Sequence, residues 1–124
     1  MDTDGGRDAA TGRRGEDAAL RRYTRAGYTV VARNWRCRLG EIDLILARGA
    51  TLVVCEVKAR RGAGLGGPYE AVGHRKQAKL RALAESFLLS NAHVAAGFTE
   101  VRFDVASVVV SGGVDAVHVF EDAF

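Results

Sequence analysis

Apolar positions recur along this chain in two rhythms. Between residues 8 and 26, Ala18, Ala19, Tyr23 and Ala26 fall at helical spacing, and Gly27 stands where a helix-ending glycine is expected. Residues 28–33 (YTVVAR), 41–47 (EIDLILA) and 51–59 (TLVVCEVKA) are rich in β-formers and predict three strands. Arg48-Gly49-Ala50 makes a hairpin turn between the last two, and residues 34–40 (NWRCRLG) read as a polar connection. Residues 60–67 (RRGAGLGG) read as a flexible basic loop. Pro68 suits the first turn of a helix reaching about Leu89, with an apolar stripe of Val72, Leu80, Leu83, Ala84, Phe87 and Leu88. Residues 91–97 break that helix, and strands are predicted at about 99–110 and 115–120. The short connections among the first three strands argue for an antiparallel meander, and the order αβββαββ predicts an α/β sheet domain flanked by helices. Residues 1–10 are expected to form a disordered tail and residues 11–124 a single domain.

Composition narrows the function classes. A chain of 124 residues is one compact domain, which excludes a two-domain enzyme with a separate cofactor module. The net charge of +3 is unremarkable, but it is segregated: residues 1–81 carry 17 Lys or Arg against 9 acids, and residues 82–124 carry Arg102 alone against 6. A basic N-terminal two-thirds points to a polyanionic partner. No run approaches the roughly 20 apolar residues of a membrane span, and the N-terminus lacks the apolar core of a signal peptide. Two cysteines, Cys37 and Cys55, fall far below a disulfide framework, so a cytoplasmic location and no membrane association are expected. His74, His93 and His118 are scattered singly and carry no metal-ligand spacing.

Three charges break the strand pattern. Simple alternation places Ile42, Leu44 and Leu46 on one face and Glu41, Asp43 and Ile45 on the other. In the next strand Val53, Cys55 and Val57 oppose Leu52, Val54, Glu56 and Lys58. Asp43, Glu56 and Lys58 therefore lie among apolar neighbours, where charges are costly unless paired or bound to a metal. Pairing about Gly49 brings residue 43 opposite 55 or 56, and Lys58 lies roughly 6–7 Å along from Glu56. Two carboxylates offer hard oxygen ligands for Mg²⁺, and an adjacent lysine can orient water or stabilise developing negative charge. Each residue taken singly also suits an ordinary ion pair; the three together favour a site.

Asp43, followed by Glu56-Val57-Lys58, resembles the D…ExK signature of the PD-(D/E)xK nuclease superfamily. The strings Gly15-Glu16-Asp17-Ala18-Ala19, Asn34-Trp35-Arg36, Gly40-Glu41-Ile42-Asp43-Leu44-Ile45, Glu56-Val57-Lys58-Ala59-Arg60 and Arg102-Phe103-Asp104-Val105 resemble the YraN-like family of small bacterial proteins. The resemblance covers about residues 12–120 and implies a restriction-endonuclease-like core, αβββαβ, with a mixed central sheet flanked by helices. It implies Asp43 and Glu56 as metal ligands with the Val57 carbonyl as a third, Lys58 as the catalytic lysine, and Glu16 as the helix-borne acid that joins the metal site in archaeal Holliday junction resolvases. The proline of the superfamily name is replaced here by Ile42.

Further residues suit a nucleic-acid contact, each beside a plainer alternative. Arg33, Arg36 and Arg38 interleave with Trp35, fitting phosphate contacts plus base stacking, or a core tryptophan among solvated arginines. Arg60 and Arg61 follow the ExK strand and suit backbone contacts or a solvated loop. Lys76 and Gln77 sit at the open end of the second helix's stripe, facing a scissile phosphate or water; superfamily members often carry such residues there. Glu41 is either a supporting acid or an edge charge, and Asp104 is expected in a structural ion pair. The reading is a Mg²⁺- or Mn²⁺-dependent endonuclease acting on DNA, with branched DNA as a candidate substrate and a homodimer as a candidate assembly. The alternatives are a nucleic-acid-binding accessory module with an inactive nuclease-like site, and a purely protein-interacting factor.

Overall fold

A computed structural model describes residues 3–62 and 72–124. The elements are α1 (Thr3–Arg25), β1 (Thr29–Cys37), β2 (Gly40–Arg48), β3 (Thr51–Arg61), α2 (His74–Ser90), the single turn α3 (Ala92–Ala95), β4 (Glu100–Ser111) and β5 (Val114–Phe120). They build one mixed sheet in the order β1-β2-β3-β4-β5. Neighbours are antiparallel except β3 and β4, which are parallel and joined through α2. This is a restriction-endonuclease-like α/β architecture. The predicted αβββαββ order and antiparallel meander both hold.

The two helices cover opposite faces. Ala18, Ala19 and Tyr23 of α1 pack on Leu44, Leu46, Val53, Cys55, Ala106 and Val108. Leu80, Leu83, Ala84 and Phe87 of α2 pack on Ile42, Ile45, Leu52, Val54 and Val105. Burial on both faces explains why the central strands read as almost continuous apolar runs. Among the apolar positions predicted for the first helix, only Ala26 stays exposed. The helix ends as Gly27 predicts: Gly27 takes φ +91°, its N–H donates to the Thr24 carbonyl, and the Tyr28 N–H donates to the Tyr23 carbonyl. The two tyrosine rings then meet edge to face at 5.1 Å.

Four boundaries differ from the sequence expectation. Helix α1 begins at Thr3 rather than near residue 8. Residues 34–37, read as part of a polar connection, belong to β1, because the ladder to β2 continues through Trp35↔Ile42 to Cys37↔Gly40. Strand β3 runs on through Arg61, since its parallel pairing with β4 continues to Arg61↔Val110. Helix α2 starts at His74 rather than at Pro68, because Gly73 is extended and Val72 is not helical. Pro68 itself and the rest of the expected glycine loop fall outside the described residues.

A glycine sets how closely α1 approaches the sheet. A Cβ built on Gly15 would collide with the Ala59 Cβ on β3. Gly15→Ala is therefore expected to lower stability by about 1–3 kcal/mol through overpacking, against which alanine's better helix propensity returns less than about 1 kcal/mol. Denaturant melts of Gly15→Ala and of Gly15→Ala with Ala59→Gly check this. The second variant should regain most of the loss, and an undiminished single variant would show that the contact is not tight.

Candidate active site

The site arises where β1 and β2 lose their simple alternation. Pairing passes from Arg33↔Leu44 directly to Trp35↔Ile42, with Asn34 and Asp43 standing between these pairs. Asn34 adopts φ +53°, a left-handed conformation that asparagine tolerates better than most residues. The faces change over at this point. Leu44 and Leu46 lie in the core under α1, whereas Ile42 lies in the core under α2. The expectation that Ile42, Leu44 and Leu46 share one face is corrected: alternation slips by one residue at Asp43. The slip turns Glu41 and Asp43 together toward Glu16 on α1, and one carboxylate oxygen of each lies within 4.8 Å of the others.

Asp43 is the electrostatic centre of the group. Its Oδ2 accepts the Val57 N–H at 2.8 Å, one residue beyond the last regular β2–β3 pair, Leu44↔Cys55. Glu56 shares a hydrogen bond with it. Burial first, then that hydrogen bond and the Glu56 charge, push the Asp43 carboxyl up to about 8, against the opposing pull of the Val57 N–H. Glu16 is raised in the same direction, chiefly by burial, with the Arg33 charge opposing. A half-buried group of carboxylates, two of which (Asp43 and Glu16) burial pushes upward, is a set of hard oxygen donors, which fits a divalent cation such as Mg²⁺ or Mn²⁺.

Counter-charges surround this group. Glu16 accepts the Asn34 amide at 3.1 Å and lies 3.6 Å from the Arg33 Nε. Arg33 also pairs with Asp17 at 2.6 Å. Arg36 Nε donates to Glu41 at 2.9 Å, and Lys76 Nζ reaches Glu56 at 3.0 Å from α2. A cleft of about 440 Å³, lined by Gly12, Arg13, Glu16, Asn34, Arg36 and Glu41, opens onto the cluster from the α1 side.

The residues singled out in the sequence thus sort by position. Asp43, Glu56 and Glu16 come together, and the Val57 main chain joins them through its N–H. Lys58 is half-buried on β3 and makes no ion pair among the described residues. Arg33 and Arg36 stand beside the carboxylates, and Arg38 is exposed in the β1–β2 turn. Arg60 is half-buried in β3, while Arg61 donates to the Thr11 hydroxyl at 2.8 Å and ties the end of β3 to α1. Gln77 turns back to donate to the Val72 carbonyl at 2.7 Å, bracing the start of α2 rather than facing the carboxylates. Trp35 packs edge to face on Phe87 at 5.3 Å, which is the core reading rather than a stacking platform.

Glu41, open between two roles in the sequence, belongs to the acidic group, and Asn34 joins it as a residue that sequence reasoning missed. Sequence held a weak signal for Asn34: an asparagine within an otherwise extended run marks a position that tolerates positive φ. Asp104 is structural as expected, accepting from Tyr23, Arg102 and the Asp122 N–H.

Fold and site together define a small restriction-endonuclease-like α/β protein with a half-buried carboxylate cluster beside its first helix. Residues 15–108 match the model of the Uncharacterised protein family UPF0102, and the chain belongs to that family, the YraN-like group its motifs resemble. A UPF0102 protein of Acidothermus cellulolyticus is 48% identical over 107 residues, covering 81% of each chain. UPF0102 proteins of Rhodococcus jostii (47% identical, covering 84% of this chain and 86% of the relative) and Kineococcus radiotolerans (50%, 82% and 81%) are similarly close. Among the described residues, no helix is long and apolar enough to cross a membrane.

Proposed function

We propose that this protein is a divalent-cation-dependent nuclease that hydrolyses phosphodiester bonds of DNA, with branched or otherwise structured DNA as its substrate class. The observation that carries the reading is the cluster of Glu16, Glu41 and Asp43, whose oxygens lie within 4.8 Å of one another, with Glu56 against Asp43. Asp43, Glu56 and Glu16 would hold a Mg²⁺ or Mn²⁺ ion, with Glu41 beside them and the Val57 carbonyl in reach along β3. Such an ion, when bound, supplies an acidified water and neutralises phosphate charge. Lys58 would orient that water or meet the charge that develops on phosphorus-bound oxygen. Arg33, Arg36 and Lys76 are exposed beside the acids and, with Arg38, Arg60 and Arg61, would hold the flanking backbone. The free cysteines Cys37 and Cys55 support a cytoplasmic setting, and a homodimer would supply two sites for two strands.

One observation favours the alternative of an accessory nucleic-acid-binding module with an inactive site: Glu16, Glu41 and Glu56 each already have a cationic side chain nearby. Incubation of four-way-junction, flapped and duplex DNA with Mg²⁺ or Mn²⁺ separates the two. Cleavage by the wild-type chain is expected, with a loss of at least about 10²-fold in Lys58→Ala. Salt-sensitive binding without turnover of any substrate would sink the nuclease reading and leave the binding module.

A further inference from the structure

The ion pairs around the acidic group are uneven in one respect. Glu56 is nearly enclosed, with 12% of its side chain exposed, yet its cationic partner Lys76 is 44% exposed. Lys76 reaches inward from the first turns of α2, on the other side of the sheet from α1, to place its ammonium 3.0 Å from Glu56 Oε2. Lysine is a point charge on a four-carbon stem, so it can leave a partner by rotating its own torsions, without backbone movement. Gln77 braces the backbone beneath it by bonding the Val72 carbonyl, which keeps the α2 start in place while the side chain moves. Nearly half of the Lys76 side chain faces solvent among the described residues.

We propose that Lys76 is a resident counter-ion, which holds Glu56 while no divalent cation is bound and passes to a substrate phosphate when one is. The phosphate half of this inference rests on the nuclease reading; the cation half stands on the Lys76–Glu56 contact alone. The exchange has a thermodynamic consequence. Removing Lys76 from Glu56 opposes cation binding, and the released ammonium favours a polyanion, so the two ligands strengthen each other's binding by the same factor.

Manganese titration of the metal-free protein, following free Mn²⁺ by electron paramagnetic resonance, tests the cation half. Lys76→Met is expected to bind Mn²⁺ about fivefold more tightly than the wild-type chain, the scale of a partly exposed ion pair. Lys79→Met is the control, because Lys79 lies on the same helix against Gly40 and makes no ion pair among the described residues, so the variant removes the same charge. It is expected to change the affinity less than about twofold. Equal affinities in the two variants would overturn the proposal. The phosphate half is read by fluorescence anisotropy on junction DNA with and without Ca²⁺. Added Ca²⁺ should tighten binding by the wild-type chain and by Lys79→Met, and tighten it less in Lys76→Met. Tighter Mn²⁺ binding in Lys76→Met with no DNA binding by any variant would retain the counter-ion and overturn both the phosphate half and the nuclease reading.

Discussion

Without divalent cation at pH 8, Asp43→Asn is expected to melt at a higher temperature than the wild-type chain, and to have lost high-affinity Mn²⁺ binding. The folded Asp43 carboxyl is pushed up to about 8, while an unfolded aspartate titrates near 4. Below about pH 4 both states hold the proton, and Asp43 brings no penalty. As pH rises from there toward 8, the unfolded chain has released its proton and the folded chain retains it, so stability falls. The slope attributable to this group is at most about 1.4 kcal/mol per pH unit, or roughly 5 °C of melting temperature per unit for a domain of this size. Above 8 the folded protein carries the full repulsion of Asp43 with Glu56 and Glu16. Asparagine cannot ionise, and its side-chain oxygen can still accept the Val57 N–H that Asp43 Oδ2 takes at 2.8 Å. Its melting temperature should therefore lose that part of the decline between pH 5 and 8. Saturating Mn²⁺ should flatten the wild-type curve and leave the Asp43→Asn variant unmoved. Matching pH slopes in the two proteins would contradict the placement of Asp43 as an unneutralised interior acid.

Arg102→Met is expected to cost about 3–5 kcal/mol, a large fraction of a typical domain's total stability. Asp104 is fully buried, and its charge is tolerated only because donors saturate it. Arg102 binds it with two nitrogens at 2.9 Å, the Tyr23 hydroxyl donates at 2.7 Å and the Asp122 N–H at 3.0 Å. Arg102 itself is held strongly protonated, first by its hydrogen bond to Asp104, and also donates to the Tyr28 hydroxyl at 2.8 Å. Methionine preserves much of the volume and strands an interior carboxylate. Chemical denaturation measures the loss. Adding Asp104→Asn to Arg102→Met should recover a substantial part of it, because the charge is gone while the Tyr23 and Asp122 donors still find an oxygen. A loss below about 1 kcal/mol, or no recovery in the double variant, would show that this network is not what anchors α1 to β4. Because that anchoring also carries Glu16 into the acidic group, cation affinity should fall along with stability in Arg102→Met, but not in a surface variant of equal net charge.

The acidic strands illustrate how far a linear pattern reaches. Asp43 and Glu56 could be paired from sequence because a tight turn at Gly49 forces residues equidistant from it to face one another, and the observed register, Leu44↔Cys55 to Arg48↔Thr51, is that register. Lys76 was legible as a basic residue at the open end of the α2 stripe, but not as the partner of Glu56. Whether a long side chain turns to a carboxylate or to water depends on which helix turn lies above which strand. Gln77, beside it in sequence, spends its amide on the Val72 carbonyl for the same reason.

Local sequence by itself determined the elements, their order and the meander of the first three strands: apolar periodicity, a helix-ending Gly27 and a short turn act over a few residues, with energies that do not need the rest of the chain. It also placed two carboxylates and a lysine where an apolar strand would not tolerate them without a purpose. Only the tertiary structure decided that the alternation of β2 slips at Asp43 opposite the left-handed Asn34, that Gly15 lets α1 close onto β3, and that Glu16 and Glu41 thereby complete the acidic group. Those are long-range events. A residue's face depends on the strand it pairs with, and a carboxyl's charge state depends on what the fold brings within a few ångströms, neither of which is encoded within a strand's own stretch of sequence.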